Sequence, residues 1–396
     1  MTVDEGDHGL IPQSPVSLGT IARQWLRLGC IGFGGPPAHI TLLRRLCVEE
    51  RRWIKAKEFD DGIAATNLLP GPASTQLAIF CAWRLRGLAG AVLGGLCFIV
   101  PGLALILGLS AVFLAGHPPH WVLGAAAGAG AAVPAVALNA ASGLAPTSWK
   151  RIGSAPAQRT RWVLYALVGG TAATIVGSYL VLVLVVCGLT EIVVRRPARP
   201  ISSGSALSVV PAAVLHLAAI GGLGALAWVA FKVGALSYGG GFVIIPLMQH
   251  DAVTTYHWMT GTQFLNAVAL GQVTPGPVVQ TVAVVGYAAG GLGGALLAAL
   301  IAFAPSFAFV LLGGPRFDQI RANSAVESFL TGTGPAVIGA IAGSAIPLGR
   351  SLQHLWQIPV LVGALLWLLV LRRGVVSGLL MAGVIGVVVA VTGVPV

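Results

Sequence analysis

The chain has 396 residues, 56% of them apolar and only 9% charged, with a formal net charge of +11. So little charge cannot coat a soluble protein of this size, which leaves lipid as the main solvent. The 23 Lys and Arg cluster in short loops, where they orient a membrane protein rather than bind nucleic acid.

In chain order, residues 1–16 form an acidic, Pro-containing stretch without the basic and apolar regions of a signal peptide, expected to be a mobile tail. A first membrane repeat is expected over 17–194, a basic cytoplasmic linker over 195–208, and a second membrane repeat over 209–396. Apolar runs near the ~20 residues of one bilayer crossing recur at 88–115, 121–145, 291–314, 325–347 and 374–394. They lack the two-residue alternation of a membrane barrel, so the predicted fold is an all-α polytopic membrane protein. Residues 162–194 are too long for one crossing and carry Gly177 and Ser178 centrally, which predicts two short helices.

Sliding the chain over itself by 205 residues superposes 27–77 on 232–282 with twelve identities. Gly34 and Gly35 fall on Gly239 and Gly240, Trp53 on Trp258, and Pro70, Gly71 and Pro72 on Pro275, Gly276 and Pro277. Around the first Pro-Gly-Pro, Arg44, Arg45, Arg51, Arg52, Lys55, Lys57, Arg84 and Arg86 flank both sides. Around the second, 249–262 and 285–291 carry no Lys or Arg. Basic residues mark cytoplasmic ends, so the repeats are expected to have inverted topology. Each then has a broken or re-entrant helix pair, 60–83 dipping from the cytoplasm and 265–287 from outside.

Proline removes a backbone donor and clashes with the preceding turn. Broken backbone at membrane depth survives only when buried in protein or lining a wet cavity. Opposed tips near the midplane would aim free N–H groups and positive helix ends at one space, which suits an anion. Polar side chains gather there: Thr66, Asn67, Ser74, Thr75 and Gln76 at the first break, and Gln272, Thr274, Gln280 and Thr281 at the second. The glycine stretches 32–37 and 237–241 form a second pair of candidate breaks, close helix packing being the alternative. Just before them lie Arg27 and Lys232, intramembrane cations read as binding substrate charge. His39, beside the first glycine stretch, is the histidine read as proton-linked. Glu191 is expected to pair with its basic loop, and Asp251 to face outside. The five cysteines show no CxxC spacing, and no GxSxG, HExxH or phosphate-loop motif occurs, so no metal, cofactor or enzyme activity is expected.

The doubled pattern of Gly-Gly, Val48 or Val253, Trp53 or Trp258, then Pro-Gly-Pro resembles the signature of the chromate ion transporter family in its long, two-domain form. The resemblance covers nearly the whole chain. It implies a multi-pass protein of the bacterial inner membrane that exports chromate and confers resistance, with sulfate as a related oxyanion. Its Gly-Gly and Pro-Gly-Pro positions carry over to Gly34, Gly35, Pro70, Gly71 and Pro72 and to Gly239, Gly240, Pro275, Gly276 and Pro277. Pro36 and Pro37 stand where the second half has Gly241 and Phe242, so the two glycine breaks need not follow the same path. An anion channel, a coupled proton or counter-anion, and a homodimer stay open at this point.

Overall fold

A computed structural model describes residues 16–67, 69, 71–114, 118–195, 222–237, 242–313 and 323–396. Residues 1–15 of the expected N-terminal tail, linker residues 196–208, Pro70, Gly239 and Gly240 lie outside the described residues.

In the first half, α1 (Leu18–Ile31) starts where Ser17 caps the Thr20 N–H at 3.2 Å. The helix α2 (Pro36–Arg44) opens on two prolines and runs into a π turn, Arg45–Glu50. Then follow α3 (Ala56–Thr66), α4 (Ala73–Phe113), α5 (His120–Arg151), α6 (Pro156–Ile175) and α7 (Leu180–Arg195). The second half carries α8 (Leu223–Leu236) and α9 (Ile244–His250), the latter with its own π turn, Asp251–Thr255. Thr260 and Gln263 then form a capping box for α10 (Gly261–Val273). After it come α11 (Thr281–Gly313), α12 (Ser324–Arg350), α13 (Gln357–Leu365) and α14 (Val375–Val391). The described residues contain helices and no strands.

Backbone detail repeats between the halves. Arg52 and His257, 205 positions apart, both have φ of 51°. Trp53 N–H meets Cys47 O at 2.8 Å, and Trp258 N–H meets Ala252 O at 2.9 Å. Helix α4 folds sharply at Arg86 and Gly87, as α11 does at Gly290 and Gly291. Beyond each fold the helix doubles back: a Cβ on Gly94 would lie 2.4 Å from Ala82 Cβ, and one on Gly286 2.8 Å from Ala298 Cβ. The limbs 56–66 and 73–86 on either side of the first Pro-Gly-Pro are therefore roughly 16 and 21 Å long, short of the ~30 Å hydrocarbon core. They fold against each other, with Gly62 under the Phe80 ring.

The halves interlock through small residues. On α6, Gly169 lies against Ala336 of α12 so closely that a Cβ would come 1.9 Å from its carbonyl oxygen, and Gly128 of α5 would meet Ala382 O of α14 at 2.1 Å. Such contact lets backbones approach where lipid supplies no hydrophobic drive between helices. Large apolar side chains point outward instead, among them Leu300 and Leu312 (71% and 72% exposed). Among the described residues, four helical stretches are long and apolar enough to cross a bilayer: Ala73–Phe113, His120–Arg151, Val278–Gly313 and Ser324–Arg350. The chain is an all-α multi-pass membrane protein.

Candidate functional site

At the first tip Gly71 takes φ of +116°, and at the second Gly276 takes +95°. L side chains rarely adopt that region, so each turn depends on glycine. A glutamine from the following helix closes over each: a Cβ on Gly71 would lie 2.5 Å from Gln76 Nε2, and one on Gly276 2.6 Å from Gln280 Nε2.

Each tip seats on the opposite half. The Gly276 N–H donates to Gly32 O at the end of α1 (2.8 Å), and Pro275 O rests on Gly102 of α4, where a Cβ would intrude to 2.0 Å. The first tip faces α8, with Gly234 O 3.4 Å from the place of a Gly71 Cβ. His39 ties the arrangement together. Its Nε2 donates to the same Gly32 O (2.9 Å), and its Nδ1 lies 3.1 Å from Ser74 Oγ, one residue into α4. A carbonyl only accepts, so Nε2 carries the proton, and in the neutral ring Nδ1 accepts from the Ser74 hydroxyl.

Several buried polar atoms around the breaks have no hydrogen-bond partner among the described residues: Thr75 Oγ1, Gln272 Nε2, Gln280 Oε1 and Ser237 Oγ, with Ser306 Oγ on α11. Each such atom costs about 1–3 kcal/mol when left unmade. Thr66 and Thr274 are satisfied locally, their hydroxyls donating to Gly62 O (2.9 Å) and Leu270 O (3.0 Å). Gly35 reaches the second tip, 3.8 Å separating the place of its Cβ from Val278 Cγ2, whereas Gly34 turns the α1–α2 loop at φ +97°.

A cavity of about 170 Å³ opens beside the first tip, lined by Asn67, Gly71, Thr147, Ser148, Arg151 and Thr331. The matching place beside the second tip is packed: Asn266 Oδ1 on α10 lies 2.4 Å from the place of a Gly130 Cβ on α5. At the equivalent Gly334 on α12, the nearest atom is Ser148 Oγ at 3.7 Å. At this matched pair of positions the first-tip side is therefore looser than the second-tip side.

The structure brings the two Pro-Gly-Pro segments to the seam between the halves, but it does not bring the two predicted cations to them. Lys232 is buried and its ammonium is ion-paired with Asp251. Asp251 is itself only 2% exposed, its carboxylate held against α8 by that ammonium. Arg27 is exposed and lines a shallow recess with Arg45 and Glu50. Glu191 is fully buried and accepts from Arg161 (2.9 Å), Arg195 (2.7 Å) and Tyr165 OH (3.1 Å), the predicted pairing. Residue-by-residue reading missed Arg151 and Ser148, which look in the sequence like ordinary loop polarity, and Gly102, one of 54 glycines.

A multi-pass membrane protein with two broken-helix tips held at the seam of its interlocked halves is built as transport proteins are. The chain belongs to the chromate transporter family, whose model matches residues 19–192 and 224–391. It is 33% identical over 365 residues to the chromate transport protein of Cupriavidus metallidurans, covering 90% of this chain and 88% of that one. The chromate transport protein of Pseudomonas aeruginosa is 33% identical over 351 residues, covering 85% and 82%. A probable chromate transport protein of Synechococcus elongatus is 30% identical over 347 residues, covering 85% and 86%. No solved structure matches the chain.

Proposed function

We propose that this protein is a secondary active transporter that exports chromate across the inner membrane of a bacterial cell and so confers chromate resistance. The observation that carries this reading is the reciprocal seating of two broken-helix tips, with unpartnered polar atoms around them, in a chain whose long relatives are chromate transport proteins. Exposed N–H groups and positive helix ends favour a tetrahedral dianion. Thr75 and Gln272 bring unpartnered donors and Asn67 an amide to the space beside Gly34, Gly35, Gly71 and Gly276, while Ser74, Thr274 and Gln280, which bond within the protein, hold the turns in shape. Gly239 and Gly240 join the proposed site by their sequence match to Gly34 and Gly35.

The open first tip and closed second tip support alternating access, in which the halves exchange these two packings and the anion passes between faces. The basic loops around the first hairpin support an opening on the cytoplasmic side. Sulfate shares the tetrahedral dianionic chemistry and competes for the site. Arg27 and Lys232 are proposed to meet the anion at other stages of the cycle, and a proton or counter-anion gradient drives export.

Chromate uptake into energised everted vesicles tests the reading. Uphill accumulation that collapses with an uncoupler or on removal of the counter-anion is the expected result, whereas flux that only follows the chromate gradient makes the protein a channel. Arg27→Gln or Lys232→Gln that inserts normally and leaves uptake intact removes that cation from the site.

A further inference from the structure

We infer that the cavity between α3, α5 and α12 is an entry site for a tetrahedral dianion, with Arg151 as its charged ligand and Ser148 and Asn67 as hydrogen-bond donors. This rests on the transport reading above and extends it, since the cavity lies toward the basic face from the seam at which the two tips meet.

Three elements build it. Arg151, Ser148 and Thr147 share the last turns of α5; Asn67 ends α3; Gly71 is the first tip itself. The cavity thus reaches from a guanidinium to the broken backbone, which is the path an anion needs from basic surface to tip. Donor chemistry selects among the lining groups. The Thr331 hydroxyl donates to Glu327 O (2.8 Å) and the Thr66 hydroxyl to Gly62 O, so both protons are committed. Ser148 Oγ instead accepts from Trp162 Nε1 (3.0 Å), which leaves its own proton to give. Asn67 brings an amide NH₂, and Arg151, which also interacts within the protein, brings a positive charge and five N–H donors to share with an oxyanion.

The second half supports the assignment by lacking it. The residue matching Arg151 at the repeat's 204-residue offset in this region is Leu355, 85% exposed, and Asn266 occupies the corresponding gap. A cation therefore stands at this position beside the first tip, and an apolar side chain stands at the matching position in the second half.

Chromate uptake into everted vesicles carrying the full chain is measured across chromate concentrations. Arg151→Gln is expected to raise the apparent KM about tenfold or more at normal insertion, and Arg151→Lys to recover much of that loss. Unchanged kinetics in an inserted Arg151→Gln protein overturn the inference. A second measurement covers a variant that fails to insert. Ser148→Cys is exposed to a membrane-impermeant cationic thiol reagent from the cytoplasmic face, with the five native cysteines of the parent chain as background. Chromate oxidises thiols, so sulfate and molybdate serve as protecting dianions and chloride as control. Severalfold slower labelling with either dianion supports the site; no protection by both, or labelling only from the other face, overturns it. If the unaltered protein moves no chromate while Ser148→Cys is still protected, the transport reading fails and the anion site stands.

Discussion

Gly276 donates its backbone N–H to the carbonyl of Gly32 across the seam between the two halves, at 2.8 Å. That one carbonyl also accepts from His39, so the end of α1 holds the second tip and the helix that follows the first. A tip that moves must break or carry this junction with it.

Replacing Gly276 by Ala forces an L side chain into φ +95° and drives a Cβ against the Gln280 amide. The backbone strain alone costs about 1–2 kcal/mol, and chromate uptake in everted vesicles is expected to fall roughly tenfold, the rate equivalent of ~1.4 kcal/mol. Gly71→Ala is expected to do the same, whereas Gly108→Ala, where a Cβ meets nothing within 4 Å, leaves uptake unchanged.

His39→Ala strips the Ser74 hydroxyl of its acceptor and Gly32 O of one donor. Buried groups left this way cost about 1–3 kcal/mol. Thermal unfolding in detergent is expected to shift down, and chromate uptake to fall with it. A smaller shift for His39→Gln, which keeps a donor, is the outcome that ties the loss to the hydrogen bonds.

The ion pair between Lys232 and Asp251 is buried on both sides. Lys232→Met leaves a buried carboxylate without this partner, a loss of roughly 3–5 kcal/mol, while apolar replacement of both members is often close to neutral. Poor insertion of Lys232→Met and of Asp251→Leu, with recovery in the double variant, is the expected pattern in a membrane-fraction blot.

Glu191→Ala removes the acceptor shared by Arg161, Arg195 and Tyr165. Hydrogen bonds to a charged group contribute about 1.5–3 kcal/mol each net of water, and less here because both arginines are partly exposed. A loss of about 2–3 kcal/mol in chemical unfolding is expected, with Glu191→Gln in between.

Gly169→Leu places a side chain where Ala336 O leaves no room for a Cβ. Overpacking of this kind costs about 1–3 kcal/mol even where neighbours can yield, and here the neighbour is backbone. Loss of the folded protein in size-exclusion chromatography is the expected readout.

Much of the architecture was legible because the signals are local. Apolar runs at 121–145 and 325–347 mark α5 and α12, and the Gly177 break separates α6 from α7. Pro-Gly-Pro marks both tips because it removes helical donors wherever it stands. The candidate site was legible in part. His39 and Ser74 lie 35 positions apart, and Gly102 and Pro275 lie 173 apart, so no local pattern announces either contact. Lys232 read as a lone intramembrane charge because its partner sits 19 positions away, on a π turn whose inward rotation a helical wheel does not reproduce.

By itself, the amino-acid sequence determined the solvent, the breaks and the doubling. A chain with only 9% charged residues must meet lipid, proline and glycine must interrupt its helices, and the match at a 205-residue offset must yield two similar halves. Only the tertiary structure decided which breaks meet, that one tip is open while its twin is packed, and that Arg151 rather than Lys232 lines the open space. Those outcomes depend on distances between helices far apart in the chain, which are set by small-residue packing at the seam and not by any property of a single segment.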